Sequence, residues 1–298
     1  MIMRKLIILF FATISLALPN AFSQTSTWDG TAVSWTHGTG TQADPYLIES
    51  AQNLAYIAEM VNGGVNQYSG KYFKLTVDID LDSLEWSPIG NYNTSSAIFK
   101  GNFDGDNHSI GKLKINSSTL QYGGLFGYVD GSIFRNINIG GRIVRSSATS
   151  ICYFGSIAGY AYSTVTIENC SNYGNVSSTA TSSDPSHSGG LIGYAYSAVT
   201  ISNCSNSGNI LSVNSGSQSS YSGGLIGRAN DTISISNCSN SGNVSSTATS
   251  ALYHPYSGGL IGHANSTVSI SNCSNSGNIS GEKKQHIQVY LLKHILVD

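Results

Sequence analysis

The stretch Ser188–Ile210, SGGLIGYAYSAVTISNCSNSGNI, returns at Phe154–Val176, Ser222–Val244 and Ser257–Ile279, and a partial copy opens at Tyr122. Its cysteines set the period: Cys170, Cys204, Cys238 and Cys273 lie 34, 34 and 35 residues apart. Tandem self-similarity at this spacing describes stacked units, each too small to bury its own apolar face.

Helical repeats share this period, so the repeat's own chemistry must decide. Ser197–Gly208 is built mostly of Ser, Asn, Thr, Val, Ile and Gly, which are poor helix formers. Its apolar residues alternate: Val165 and Ile167, Val199 and Ile201, Ile233 and Ile235, Val268 and Ile270. Period two with β-branched residues reads as strand. Copies of one strand then stack in parallel, about 4.8 Å apart, and a chain that returns to the same side each time winds into a parallel β-helix. Cys204 lies three residues beyond Ile201, the wrong parity for one flat strand. Both point inward only if the chain bends at Ser202–Asn203. Asn tolerates the left-handed conformation that such a bend needs, and Asn169, Asn237 and Asn272 occupy the same place. The expectation is an asparagine ladder through Asn169, Asn203, Asn237 and Asn272, beside a column of thiols from the four cysteines. Gly189–Gly193 and its equivalents are read as a second face, with a third strand through Asn209–Ile210. The 12 residues between Ile210 and Gly223 are read as a variable loop, one residue longer in the next repeat.

Composition narrows the function classes. Only 10% of the 298 residues are charged, 16 acidic against 14 basic, so nothing suggests nucleic acid as a partner. Disulfides between adjacent coils are disfavoured, because side chains stacked in register point the same way. Buried free thiols are the preferred reading, with Cys packing as a small hydrophobe. No basic neighbour marks a catalytic thiol.

In chain order, residues 1–23 read as a signal peptide. Arg4 and Lys5 precede the apolar run Leu6–Leu18, and Ala21 and Ser23 fit the small-residue cleavage rule. No stable membrane insertion is expected once it is cleaved. Residues 24–45 form a polar segment. Within 46–70, Ser50–Asn62 reads as a helix. Ser50 caps it, Leu54, Ile57, Ala58 and Val61 make its apolar stripe, and Gly63–Gly64 stop it. It is assigned to cap the exposed first edge of the solenoid. Residues 71–153 are read as irregular coils opening with one strand over Lys71–Leu81. Residues 154–280 are the repeats proper. The tail 281–298 breaks the composition and reads equally well as a cap or as a truncated end.

The quartets Gly124-Leu125-Phe126-Gly127, Gly190-Leu191-Ile192-Gly193, Gly224-Leu225-Ile226-Gly227 and Gly259-Leu260-Ile261-Gly262 resemble the GLUG-motif repeat family of secreted, adhesin-like bacterial surface proteins. Ser156-Ile157-Ala158-Gly159 is a degenerate copy, and GTGTQADPYLIESAQNLAYIAEMVN, YFKLTVDIDL and FKGNFDGDNHSI look like the segment that precedes such repeats. The resemblance implies an all-β chain: a right-handed parallel β-helix with a short N-terminal capping α-helix, exported to the cell surface or beyond. Some relatives carry IgA-specific metallopeptidases, which need a His-Glu-x-x-His zinc helix. This chain contains no His-Glu pair, so that activity is not carried over.

Candidate sites are few. Asp78, Asp80 and Asp82 are spaced to share one strand face and suggest Ca²⁺, but the following residues depart from a calcium loop and a solvated face is the preferred reading. Asp104 and Asp106 flank Gly105. They are the best carboxylate pair for a carbohydrate-active β-helix lyase or hydrolase, in a context where Asp is favoured for turn reasons. The seven histidines show no shared metal spacing and are read as exposed polar residues. Tyr160 and Tyr162 recur as Tyr194 and Tyr196, then become Arg228 and Asn230, and His263 and Asn265. Stacking that stabilises the solenoid and a sugar-binding surface both fit. The preferred reading is a secreted adhesion or binding module without catalytic activity, cofactor or metal, whose partner is a glycan or a host or matrix protein. A carbohydrate-active enzyme and a purely structural spacer are the alternatives.

Overall fold

A computed structural model describes residues 24–281 except 149, 182 and 251. The signal-peptide reading and all of the tail beyond Gly281 fall outside the described residues. Among the described residues the chain is a parallel β-solenoid with one helix, and the strands pair in parallel throughout. In the repeats each coil visits four faces in turn. One coil runs through Ser186–Gly189 (face 1), Ile192–Ala195 (face 2) and Val199–Ser202 (face 3). Face 4 is split into Ser205–Asn206 and Ile210–Asn214. Faces 1 and 2 each have five strands, and face 3 has eight, from Tyr46–Ile48 to Val268–Ser271. Adjacent coils are in register: Val165, Val199, Ile233 and Val268 form one column, and Val176, Ile210, Val244 and Ile279 another.

The bend between faces 3 and 4 is made by one residue type. Asn136, Asn169, Asn203, Asn237 and Asn272 all have φ between 51° and 54°. This left-handed conformation is costly for most side chains and tolerated by Asn. It rotates the following cysteine inward, so Cys170, Cys204 and Cys238 are buried. The cysteine is more than a small hydrophobe here. Each thiol donates to the carbonyl two residues upstream, as Cys204 does to Ser202 at 3.1 Å. It also accepts the backbone N–H of the cysteine one coil earlier, at 3.3 Å for Cys170 N to Cys204 Sγ. All five cysteines are free.

Two readings of the repeat need correction. Gly189–Gly193 is not a face. Gly190 and Leu191 lie in the turn between faces 1 and 2. A Cβ at Gly190 would overlap the carbonyl oxygen of Gly224 in the next coil and the side chain of Asn206. The glycine lets backbone press against side chain where no methyl fits. The segment between Ile210 and Gly223 is likewise not a loop. It holds two strands, Ile210–Asn214 and Ser220–Gly223, that fold against each other. Between Ile210 and Gly223 their inward residues are mostly polar, with Ser212, Asn214, Ser220 and Ser222 buried, and serines of adjacent strands meet: Ser212 Oγ meets Ser186 Oγ at 2.8 Å, and Ser178 Oγ meets Ser186 and Ser188 at 2.7 Å. Alternation of apolar residues cannot reveal a strand whose buried side is hydroxyl.

A polar ladder runs through the core beside the glycine turn. Asn172, Asn206 and Asn240 are buried. Nδ2 of each donates to the Oδ1 of the next, ending on Asn275, at 2.6–2.7 Å. Each Nδ2 also donates to the carbonyl two residues on, as Asn206 does to Gly208 at 2.8 Å.

At the N-terminal end, the helix Ala51–Asn62 lies between the first two strands of face 3. Ser50 Oγ accepts Asn53 N–H at 3.2 Å, and Leu54, Ile57, Ala58 and Val61 are buried in the same core as the coils. Lys71–Leu81 is not one strand. It splits into Tyr72–Leu75 on face 3 and Asp78–Asp80 on face 4. Within the polar segment, Thr25–Thr27 pairs with Asp78–Asp80, an edge strand that the sequence pattern does not reveal.

Asn206→Ala removes the donor that Gly208 O and Asn240 Oδ1 share, and takes from Asn172 Nδ2 one of its two acceptors, leaving it only Gly174 O. With each orphaned buried group costing about 1–3 kcal/mol, the variant should lose ~3 kcal/mol or more in urea unfolding. Gly224→Ala should cost a further ~2 kcal/mol or more through steric overlap, measured the same way, while Ser234→Ala on the exposed side of face 3 should be near neutral.

Candidate binding surface

Faces 1 and 2 meet at the glycine turn and enclose a crease lined with rings. On face 2, Tyr128, Tyr160 and Tyr194 are in register, and Arg228 and His263 continue the column. Ring centroids are 4.8 Å apart for Tyr128–Tyr160 and 5.3 Å for Tyr160–Tyr194. Just past this strand, Tyr162 and Tyr196 stack at 5.5 Å with planes 9° apart, and each is 44% exposed. The structure therefore brings all four tyrosines singled out from the sequence onto one surface. Tyr162 and Tyr196 present the more open rings, while Tyr160 and Tyr194 are half-buried.

A second column on face 1 escapes the sequence reading. Tyr122, Tyr153, His187, Tyr221 and Tyr256 are in register, with successive centroids 4.8–5.6 Å apart. The two columns touch across the crease, for example Tyr153–Tyr194 at 5.3 Å and Tyr256–His263 at 4.7 Å. The signal was present one residue before the repeated Ser-Gly, where Tyr221, Tyr256 and His187 recur.

The histidines are also not simply exposed. His187 is 1% exposed, sandwiched between Tyr153 and Tyr221. Its Nδ1 lies 3.2 Å from the Cys152 carbonyl, so the proton sits on Nδ1 and Nε2 is left as a buried, unpartnered lone pair. Burial first, and the nearby Arg228 second, push its pKa down to about 3, so the ring is neutral. His263 is shifted down by the same two causes in the same order. Burial raises the pKa values of Tyr122, Tyr128, Tyr153, Tyr160, Tyr194 and Tyr256, that of Tyr160 most strongly. The crease therefore carries neutral rings and one permanent cation, Arg228. Its guanidinium lies 4.9 Å from the Tyr221 ring centre and 5.7 Å from that of Tyr194.

The remaining candidates sit elsewhere and are engaged. Asp80 and Asp82 flank Lys112 Nζ at 2.7 and 3.7 Å, and Asp78 lies 3.3 Å from His108 Nδ1. Asp82 has φ of 50°, so the three carboxylates do not continue along one strand. Asp104 accepts from Asn136 Nδ2 and from the Asp106 N–H, both at 2.8 Å, and Asp106 pairs with Lys74 at 3.0 Å. Cys152 lies near Arg145, but burial dominates and its thiol pKa is raised. Asn169, Asn237 and Asn272 donate to Asn136, Asn203 and Asn237 respectively at 3.1–3.2 Å on the solvent side of the bend. Among the described residues no group of three His, Cys, Asp or Glu side chains is placed to hold a metal. Among them, too, no helix is long and apolar enough to cross a membrane.

Comparison with known proteins agrees with the repeat pattern. The GLUG motif matches residues 184–211 and 218–245. A 122-residue stretch is 33% identical to halomucin of Haloquadratum walsbyi, covering 37% of this chain and 1% of halomucin. A 114-residue stretch is 31% identical to a provisionally named Gly-rich membrane protein of Evansella cellulosilytica, covering 36% of this chain and 12% of that one. The chain thus spans a small part of the length of these relatives. The crystal structure of a Bacteroides ovatus protein, provisionally named an immunoglobulin A1 protease, superposes with a TM-score of 0.61. It covers 83% of this chain and 70% of that one at 20% identity, a likeness of fold.

Because His187 is neutral in the fold and has an ordinary pKa of 6.5 when unfolded, its burial contributes stability that is present above pH 6.5. That stability is lost as pH falls from 6.5 towards about 3. The expected slope is about 1.4 kcal/mol per pH unit within that window. His187→Tyr, which continues the column of Tyr153 and Tyr221, should remove this component from denaturant melts recorded across the same pH range.

Proposed function

We propose that this GLUG-repeat solenoid is a secreted, cell-surface binding module without catalytic activity, which adheres to a glycan through the ring-lined side of faces 1 and 2. The observation that carries this reading is the pair of parallel, half-exposed rings of Tyr162 and Tyr196, held at one-coil spacing beside the deeper columns. Exposed tyrosine faces offer apolar area at low entropic cost, with a hydroxyl for polar contact. A stiff rod repeats such contacts at fixed intervals, so individually weak contacts add. Surface location draws support from the name of the Gly-rich membrane relative and from the signal-like residues 1–23. The engaged states of Asp104 and Asp106 favour binding over hydrolysis, because neither carboxylate is poised for proton transfer.

Screening the chain on an array of glycans and matrix proteins tests the reading. The double variant Tyr162→Ala, Tyr196→Ala should weaken the best glycan hit at least ~10-fold, about 1.4 kcal/mol for two rings, with an unchanged melting temperature. An array with no hit would leave the rod as a spacer. New reducing ends or unsaturated products from polyuronates would make it an enzyme.

A further inference from the structure

We infer that the Arg228 end of the crease is a subsite for the acidic group of an anionic glycan, a carboxylate or sulfate carried on a sugar ring. This rests on the glycan-binding reading and specifies its chemistry. Arg228 stands in the column where the preceding coils carry Tyr128, Tyr160 and Tyr194. A cation replaces a ring at that step and stacks on the tyrosines beside it. None of the ion pairs among the described residues includes Arg228, and its Nε is buried without an acceptor.

Two further buried nitrogens belong to the same place. His187 Nε2 is an unpartnered lone pair on a ring 1% exposed, and His263 Nδ1 is unpartnered as well. Both rings feel the charge of Arg228, and His263 follows it in register on face 2. Unsatisfied buried polar atoms are uncommon in a native fold, so three in one crease call for an explanation. One ligand matches two of them. A negatively charged oxygen takes the guanidinium donors of Arg228, and a neighbouring hydroxyl donates to His187 Nε2. A sugar acid or sugar sulfate carries both groups on one ring, and its apolar face can lie on Tyr194 and Tyr196. Neutral histidines leave the guanidinium as the charge among these three side chains, and two acids of the repeat region are otherwise engaged: Glu168 with Arg135 and Asp231 with Thr232.

Titration calorimetry on the full chain decides the matter, using uronate oligosaccharides, sulfated oligosaccharides and their uncharged counterparts. At least one acidic series should bind ~10-fold or more tighter than its neutral counterpart, with an advantage that shrinks as salt rises. Which series wins assigns carboxylate or sulfate. Arg228→Gln should abolish the advantage, and Arg228→Lys should restore part of it, since Lys lacks the planar fork. If Arg228→Gln fails to fold, Arg228→Tyr, which continues the column, replaces it. Equal affinity for acidic and neutral sugars, or a preference that survives in Arg228→Gln, overturns the subsite while leaving the tyrosine reading intact. No binding of any sugar overturns both.

Discussion

Each coil depends on the coil beside it for every buried group that it cannot satisfy alone. The strands hydrogen-bond only to their copies above and below, so the register must be shared by all four faces at once. Where the chain bends, the same rule extends to side chains. The amide of Asn206 serves its own turn through Gly208 and the neighbouring coil through Asn240. The thiol of Cys204 serves Ser202 in its own coil and Cys170 in the previous one. Apolar burial obeys it too: Ile210 and Val244 are closed in by coils on both sides, whereas Ile279, in the last described coil, is 41% exposed. A slip of one residue would break the hydrogen-bonded columns together and turn each apolar column outward.

The glycines of the repeat follow from the stacking. At the turn between faces 1 and 2 the carbonyl of the next coil's glycine and the buried amide column together leave Gly190 and Gly224 no room for a methyl group, and Asn275 does the same at Gly259. Close approach at this turn lets the outward sides of faces 1 and 2 meet, with rings of one touching rings of the other. The surface read here as a binding site is thus a consequence of core packing. The same turn that packs against the amide column brings the tyrosines, His187 and Arg228 of the two faces together.

Much of the architecture is legible in local pattern. Val199 and Ile201 against Cys204 require a bend by parity alone, and Asn203 is a residue able to make one. The helix is equally legible, since Ser50, the stripe from Leu54 to Val61, and Gly63–Gly64 are all local signals. The hairpin-like excursion around Ser212 and Ser220 is not. Its interior is polar, so it imitates a loop until each hydroxyl is seen to have a partner. His187 is misread for the opposite reason: as a lone polar residue in a Ser-rich stretch it looks exposed, and only alignment with Tyr221 and Tyr256 places it in a column of rings.

From its sequence alone the chain determines its period, its parallel in-register stacking and the side on which each apolar column lies. These follow from strand alternation and from the chirality of single residues, which act over a few positions. The tertiary structure decides which outward residues become neighbours. Tyr153 and Tyr194 belong to different coils and different faces, and Tyr221 and Arg228 to two faces of one coil; strand alternation relates neither pair. Their contact depends on how the two faces meet at a turn where backbone packs tightly against the next coil and a buried amide.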